Sequence, residues 1–392
     1  MTTENELMPK AAQTQVCLVS AQATPNLTPL LDPAFAPKRL MMLVSPDMKQ
    51  RAQWLAEVVK PRSIRVEMLD LPDAWDLEGI TDLLVNWLDA QGRDADVALN
   101  VTGGTKPMAM AAQQAFAMAD KPVFYVHHQL DKVLWLTPRR PAQSLGNKLK
   151  LEPFLHAHGW EVMANPGQPD LSESLRSLTS ELVLNVGSLG SALGTLNWYA
   201  QDCDKKQTLE VQIENSDRDS PGLMSLVQKF EAAGACSLVQ GRLRFGSEAE
   251  RFFCNGGWLE HHVVGVLSDL RSKAGIQDLA AGLTVRSLDN SLKGMAGSNE
   301  LDVAFLAHNR LHIIECKTSS FRFRDSAAPA VYKLDSLTGM GGLNTKGMLA
   351  SYRPLLDGDI QRARDLRIET VVAGSLASLR QRLLNWIGPA AA

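Results

Sequence analysis

The stretch Asn299-Glu300-Leu301-Asp302-Val303-Ala304-Phe305-Leu306, Ala307-His308-Asn309-Arg310, Leu311-His312-Ile313-Ile314-Glu315-Cys316-Lys317 reads as two apolar runs around a short polar turn. That is the pattern of a β-hairpin. Asp302 falls near the start of the first strand, and Glu315 and Lys317 fall near the end of the second. Alternation places Glu315 and Lys317 on one face and Cys316 on the other. Two acids and a lysine therefore converge at one end of an otherwise hydrophobic hairpin. Charges in such a place are costly unless they pair with each other or hold a metal.

Working outward, Ser247 to Phe253 and Gly257 to Ala274 read as helical around a Cys254-Asn255-Gly256 interruption. Leu283 to Leu288 reads as a strand, followed by a Gly-rich loop from Lys293 to Ser298. After the hairpin come a helix through Tyr332 to Leu337, the Gly339-Met340-Gly341-Gly342 loop, a strand at Arg367 to Ala373 and a last helix at Leu376 to Trp386.

The first part of the chain alternates strand and helix patterns. Strands are expected at Gln15–Ser20, Arg39–Val44, Ile64–Met68, Asp96–Val101, Val123–His127 and Val133–Thr137. Helices are expected through Leu27–Leu31, from Ser45-Pro46-Asp47 to Val59, over Asp76–Ala90 and over Pro107–Ala119. Such alternation argues for a mostly parallel α/β sheet. From about Leu149 it stops. Ser172 to Asn185 and Leu223 to Ala233 read as helices, and Cys236 to Phe245 as a hairpin around Gln240-Gly241. A helix followed by a β wing resembles a small winged-helix module.

The totals leave much open. At 392 residues the chain has room for two or three domains, and 45% apolar and 21% charged residues are ordinary for a globular protein. The formal net charge of −3 gives no global basic signature. Nucleic acid is still allowed, because a groove needs only local basicity. Arg322, Arg324, Lys333 and Lys346 follow the hairpin, and Arg362, Arg364 and Arg367 come later. The five cysteines, Cys17, Cys203, Cys236, Cys254 and Cys316, show no CxxC and no paired metal spacing. They suit free thiols in a reducing cytoplasm. Neither a membrane span nor a signal peptide is expected.

Asp302, Glu315 and Lys317 fit the PD-(D/E)xK nuclease pattern, with Leu301-Asp302 where that pattern has Pro-Asp. The chemistry explains the residue types. Phosphodiester hydrolysis calls for a divalent metal to activate water and neutralise charge building on the phosphate. Mg²⁺ or Mn²⁺ prefers oxygen donors, which Asp302 and Glu315 supply, and the backbone carbonyl of Cys316 is a further candidate. Lys317 can orient water and stabilise the developing anion. A preceding helix usually adds one more acid. Glu260 in Trp258-Leu259-Glu260-His261-His262 is the candidate, with Glu250 in reserve and Lys333 on the next helix. The bland alternative is a buried ion pair without function. His261-His262 invites a zinc reading, but adjacent residues on a helix face different sides.

Asn100-Val101-Thr102-Gly103-Gly104-Thr105-Lys106-Pro107 joins a strand to a helix. Glycines permit close backbone approach, and helix N-terminal N–H groups attract phosphate. It is neither a Walker A loop nor GxGxxG. A TGGTK loop after the fourth strand of an α/β domain resembles the CARF domains of type III CRISPR systems, which sense cyclic oligoadenylates. The loop Ser20-Ala21-Gln22-Ala23-Thr24-Pro25-Asn26 matches that family's other ligand loop, and Ser45 and Asp47 end strand two on the same edge.

The whole chain thus resembles the CRISPR ancillary nucleases that fuse a CARF domain to a PD-(D/E)xK domain, often called Can or Card nucleases. The resemblance implies three parts: a Rossmann-like CARF domain over 1–147, a small α+β connector of winged-helix kind over 148–246, and an α/β restriction-endonuclease-like domain over 247–392. It implies a homodimer with cyclic tetra-adenylate across its two-fold axis, and metal-dependent cleavage of DNA or RNA switched on by that ligand. Gln22, Thr24, Ser45, Thr102, Gly103, Gly104, Thr105 and Lys106 would contact the ligand. Asp302, Glu315, Lys317 and Glu260 would be catalytic, with Asp302, Glu315, Glu260 and Cys316 around the metal. The rival reading is a nucleotide-responsive regulator whose helix–wing module binds DNA, with the nuclease fold as a silent scaffold.

Overall fold

The computed structural model describes residues 12–146, 148–167, 171–289, 298–318, 326–342 and 344–388. The Gly-rich loop expected at 293–298 falls outside these except for Ser298, and Arg322 and Arg324 fall outside them entirely.

The N-terminal sheet contains β1 (Thr14–Leu18), β2 (Arg39–Val44), β3 (Arg65–Asp70), β4 (Val97–Asn100), β5 (Val123–His127), β6 (Lys132–Thr137) and β7 (Gln143–Ser144), in the order β3-β2-β1-β4-β5-β6-β7. β1 pairs in parallel with both β2 and β4. The winding therefore reverses beside β1, which is where open α/β sheets bind ligands beyond the carboxyl ends of their strands. Helices α1 (Thr24–Leu31), α2 (Lys49–Val59), α3 (Leu77–Gln91) and α4 (Lys106–Met118) cover the faces. The core strands are apolar and buried because both faces are covered: Val16, Leu18, Leu40, Met42 and Leu99 are all shielded from solvent. The third helix begins as its sequence dictates, with the Asp76 carboxylate accepting from the Gly79 N–H at 2.9 Å. One boundary moves. The first helix starts at Thr24 rather than near Leu27, so Thr24, Pro25 and Asn26 lie inside it.

The middle of the chain is more closely built into its surroundings than the sequence suggested. After α5 (Leu151–Ala157), β8 (Trp160–Ala164) adds to the edge of the C-terminal sheet by pairing with β12. Then come α6 (Glu173–Leu184), α7 (Val186–Lys205), β9 (Glu210–Gln212), α8 (Asn215–Arg218), α9 (Pro221–Ala232), β10 (Ser237–Val239) and β11 (Arg242–Arg244). The expected hairpin forms, with Gln240 (φ 49°) and Gly241 (φ 74°) both left-handed at its turn, as a tight hairpin requires. It makes a three-stranded sheet in the order β10-β11-β9. Arg242 and Arg244 of this wing both pair with Glu210, at 2.9 and 3.1 Å. The wing's two cations share a single carboxylate within the sheet.

The C-terminal region carries α10 (Glu248–Phe252), an irregular turn at Phe253–Gly257, α11 (Trp258–Leu270), β12 (Ile276–Ser287), β13 (Asn299–Ala307), β14 (Arg310–Lys317), α12 (Ala328–Thr338), β15 (Lys346–Ser351), α13 (Asp357–Asp365), β16 (Glu369–Val372) and α14 (Leu379–Ile387). The sheet order is β16-β15-β14-β13-β12-β8. One face packs Val303, Phe305, Ile314 and Cys316 against α11, α14 and the connector helices. The other packs Ala304, Leu306, Leu311 and Ile313 with α12, α5 and the α1–α2 layer of the N-terminal domain. The two ends of the chain share that second core.

Candidate functional site

The β13–β14 ladder runs from Ala307↔Arg310 to Val303↔Ile314 and stops there. Beyond it the Cys316 N–H bonds the Asp302 carboxylate at 2.7 Å instead of a strand carbonyl. On the other side of β13, Gly282 (φ 61°) lies between the pairs Ala281↔Val303 and Leu283↔Leu301, opposite Asp302. A glycine kink there bends the ladder where the acid sits. N–H and C=O of one strand residue point to the same side. The Cys316 carbonyl therefore faces the same gap as Asp302, while its thiol is buried in the core, where burial holds it well above the usual thiol range.

Glu315 is 1% exposed. Its two oxygens are occupied by two ammoniums, Lys317 Nζ on Oε1 and Lys333 Nζ on Oε2, each at 2.7 Å. Lys333 belongs to α12, so the expected neighbour on the following helix reaches Glu315 directly. Burial alone would depress the Lys317 ammonium, but the adjoining Glu315 carboxylate overrides it and holds Lys317 above its ordinary value. Asp302 is pushed up to about 6 by burial and by the Glu315 charge, against the pull of the Cys316 N–H. Glu260, on α11, is pushed up to about 9 by burial and then by Asp302 and Glu300. Glu250 does not join them, because its carboxylate accepts from the Gly246 N–H at 2.8 Å.

The donor set suits a hard divalent cation: carboxylate oxygens of Asp302, Glu315 and Glu260 with the Cys316 carbonyl. The raised acids show negative charge crowded where a cation would relieve it. Among the described residues no three His, Cys, Asp or Glu groups form a finished metal cage. The ammoniums on Glu315 account for part of this, since a metal at that carboxylate has to displace one of them. His261 and His262 lie apart, with Arg176 and Asp269 along a smaller cavity. Burial holds both imidazoles down near about 4, so they are neutral packing groups.

Glu260, Cys316 and Lys317 open into a cleft of about 910 Å³ whose opposite wall is α7, through Ser191, Gly194, Asn197 and Trp198. The sequence reading passed over this helix. Its glycines lower helix propensity but admit a neighbour: a Cβ on Gly190 would collide with the Arg353 guanidinium, which bonds the Gly190 carbonyl. Trp198 (52% exposed) and Phe252 (43% exposed) present aromatic surface to the same cleft.

At the sensor edge, the loop after β4 crosses the end of β1. A Cβ on Gly103 would overlap the Leu18 carbonyl oxygen, and Gly104 has φ 74°, so glycine is required at both positions. Asn26 Nδ2 donates to the Leu18 carbonyl at 2.8 Å, and Asn100 Nδ2 to the Pro25 carbonyl at 3.0 Å. Those two buried asparagines hold the edge together and were not singled out from sequence. Thr102 Oγ1 donates to Asn100 Oδ1 and accepts from the Val126 N–H, at 2.6 and 2.7 Å. Thr105 caps α4. Ser45 donates to Asp47 at 2.6 Å. Thr24 is buried in the first turn of α1, and Lys106 is exposed. Gln22 lies against the turn at Gly342, where a Cβ would overlap its amide. That turn directly follows α12, the helix carrying Lys333. One continuous stretch, α12 and the turn after it, thus runs from Gln22 to Glu315.

Residues 14–154 match the family model of the Card1 CARF domain, and residues 247–390 that of the Card1-like endonuclease domain. No curated protein is significantly similar to the chain. Among solved structures, the chain resembles protein VC1899 from Vibrio cholerae with a TM-score of 0.87 at 28% identity, over 95% of this chain and 97% of that one. It resembles Can2 from Sulfobacillus thermosulfidooxidans in complex with cyclic tetra-adenylate with a TM-score of 0.73 at 27% identity, over 96% and 97%. A type III CRISPR defence DNA nuclease activated by cyclic oligoadenylate shares the fold, with a TM-score of 0.55 at 19% identity over 88% of this chain and 46% of that one. With a match to the Card1 CARF domain before a match to the Card1-like endonuclease domain, the chain belongs to the Card1-like CARF nucleases.

Proposed function

We propose that this chain is a nuclease of type III CRISPR defence, switched on by cyclic tetra-adenylate, that cleaves DNA or RNA phosphodiester bonds with Mg²⁺ or Mn²⁺. The observation that carries the reading is the physical continuity of α12. The helix ends at the Gly342 turn beside Gln22 and places Lys333 on Glu315. Gln22, Gly103, Gly104 and Lys106 lie along the ligand edge, with backbone N–H groups at the start of α4 suited to phosphate. Thr102, Thr105 and Ser45 support that edge through internal hydrogen bonds. Thr24 acts from within the first turn of α1. A ring of four phosphates with near two-fold symmetry fits a symmetric homodimer. Ligand binding would favour one arrangement of the edge and α12, a shift of population rather than a new structure.

Asp302, Glu315, Glu260 and the Cys316 carbonyl would hold the metal, which supplies activated water and charge neutralisation at the phosphate. Lys317 is held protonated by Glu315 and faces the cleft, where it stabilises the anion that develops on the phosphate. Among the described residues no helix is long and apolar enough to cross a membrane. Five buried free cysteines suit an enzyme of a reducing compartment such as the cytoplasm.

The test is a panel of supercoiled DNA, single-stranded DNA and single-stranded RNA with Mg²⁺ or Mn²⁺, with and without cyclic tetra-adenylate. Cleavage is expected only with both ligand and metal. Glu315→Ala is expected to lower the activated rate at least ~10²–10³-fold while ligand binding stays intact. Parent-like cleavage by that variant would remove Glu315 from the site.

A further inference from the structure

At the opposite end of β14 from Glu315 lies a second charged site. Arg310 begins the strand, about 17 Å away at ~3.3 Å per residue. With Lys346, Arg364, Arg367, Glu369 and Trp386 it lines a cavity of about 520 Å³. Arg310 Nε is shielded from solvent and has no hydrogen-bond partner. Among the described residues Arg310, Arg364 and Arg367 have no ion-pair partner. The acid in the cavity, Glu369, is engaged with Arg382 at 3.5 Å.

Ordinary explanations account for part of this charge. Lys346 Nζ donates to the Trp386 and Ile387 carbonyls at the end of α14, and Arg364 lies in the last turn of α13. Helix C-termini attract cations, each with roughly half a negative charge. Glu369 is already paired with Arg382, so the two half charges offset about one of the four cations and a net charge near +3 remains. Burial and the neighbouring Arg310 accordingly hold the Lys346 ammonium below its ordinary value.

Arg367 reaches the cavity from the end of α13. Helix α13 ends in a Schellman motif: Ile368 N–H bonds the Ala363 carbonyl at 2.8 Å and Arg367 N–H the Arg364 carbonyl at 3.0 Å. The C′ residue of that motif is left-handed and is usually glycine. Here it is Arg367, with φ 57°. Asp120 after α4 and Gln207 after α7 hold the same left-handed place, so a side chain there recurs in this chain, and at Arg367 it brings a guanidinium to the cavity.

We propose that Arg310, Lys346, Arg364 and Arg367 form a binding site for phosphate groups, separate from the catalytic cleft and from the sensor edge. The phosphates come either from a nucleic-acid backbone or from a free nucleotide. Planar guanidiniums around an open pocket suit phosphate oxygens, which they can bind in bidentate fashion.

The test uses the full chain in EDTA, so that nothing is cut, with Arg367→Gly and the double variant Arg364→Gln/Arg367→Gly. Glycine suits the left-handed C′ position, so Arg367→Gly is expected to keep or raise the thermal midpoint, and loss of binding will not reflect misfolding. A labelled 20-nucleotide single strand is titrated by anisotropy across a salt series, and ATP and pyrophosphate by calorimetry. If the site takes backbone phosphates, affinity for the strand falls severalfold, and the slope of log K against log[salt] shrinks by about 0.7 per arginine removed. If it takes free phosphates, ATP or pyrophosphate binding is lost in the double variant while strand binding holds. Unchanged binding of all three probes by the double variant overturns the proposal. Glu315→Ala in the same titrations retains binding, so failure here is distinct from failure of the nuclease assignment.

Discussion

At the sensor edge almost every polar side chain is engaged by the fold. Asn26 and Asn100 bond backbone carbonyls, Thr102 bridges Asn100 and Val126, Thr105 caps α4, and Gly103 touches the end of β1. At the C-terminal end of β14 the polar groups are instead in conflict. Two acids stand above their ordinary values, first through burial and then through neighbouring carboxylates, and a third holds two ammoniums. The first site is preorganised, and a ligand meets it at little reorganisation cost. The second is crowded, with one carboxylate filled by Lys317 and Lys333 beside two acids held above their ordinary values. Helix α12 meets both regions, through Lys333 at Glu315 and through the turn at Gly342 that follows it beside Gln22.

The sharpest way to break that contrast is to disturb the stiff site. In Gly103→Ala the new methyl overlaps the Leu18 carbonyl, a backbone atom that cannot swing away. Overpacking of this kind costs about 1–3 kcal/mol. The expected outcome is a lower thermal midpoint together with loss of response to cyclic tetra-adenylate. A variant that keeps both the midpoint and the activation curve of the parent would show that the edge is not rigid.

The conflicted site makes the opposite prediction, that removing a group stabilises. Glu260 stands near about 9 in the fold, against 4.5 for the free side chain. Below 4.5 both states hold the proton and the group costs nothing. Between 4.5 and 9 the unfolded chain ionises freely while the fold resists, so stability is lost as pH rises through this window. Glu260→Gln removes the loss. In EDTA the variant is expected to melt with the parent at pH 4.5 and a few degrees above it at pH 8, where ~1 kcal/mol moves the midpoint by roughly 2–4 °C. A constant difference across pH, or a lower midpoint at pH 8, would mean that Glu260 is not strained by its neighbours. Saturating Mn²⁺ is expected to narrow the gap, because the cation relieves in the parent what the substitution removes.

The contrast also explains what the sequence revealed. Local signals carried the hairpin, the strand–helix alternation and the TGGTK turn, because each is written in consecutive residues: alternation at Leu311–Lys317, Asp76 as a cap, and Gly103 and Gly104 at a sharp turn. The acids were recognisable for the same reason, as charges on apolar strands. Tertiary choices stayed hidden. Nothing local marks β8 as an edge strand of the C-terminal sheet rather than part of a connector, since only Val162↔Val285 and its neighbouring pairs place it there. Helix α7 reads poorly because Gly187, Gly190 and Gly194 lower its propensity, and Gly190 is explained only by Arg353, more than 150 positions later. β15 is short and carries Gly347. Thr24 sits two residues after Gln22 in an apparent loop, and its burial follows from the helix starting early over Pro25.

The smallest expected effect comes from a residue of the sensor edge whose charge the fold does not engage. Lys106 is exposed at the start of α4 and, among the described residues, has no hydrogen bond or ion pair from its ammonium. A cation at a helix N-terminus works against the dipole by about 0.3–1 kcal/mol. Its presence there suits an incoming phosphate better than it suits the helix. Lys106→Ala should therefore move two quantities in opposite directions. The thermal midpoint without ligand is expected to hold or rise slightly. The cyclic tetra-adenylate concentration for half-maximal cleavage is expected to rise about fivefold, equivalent to ~1 kcal/mol. A variant losing stability and activation together would make Lys106 one more structural member of the edge, and the contrast between an engaged scaffold and a free charge at that edge would fail.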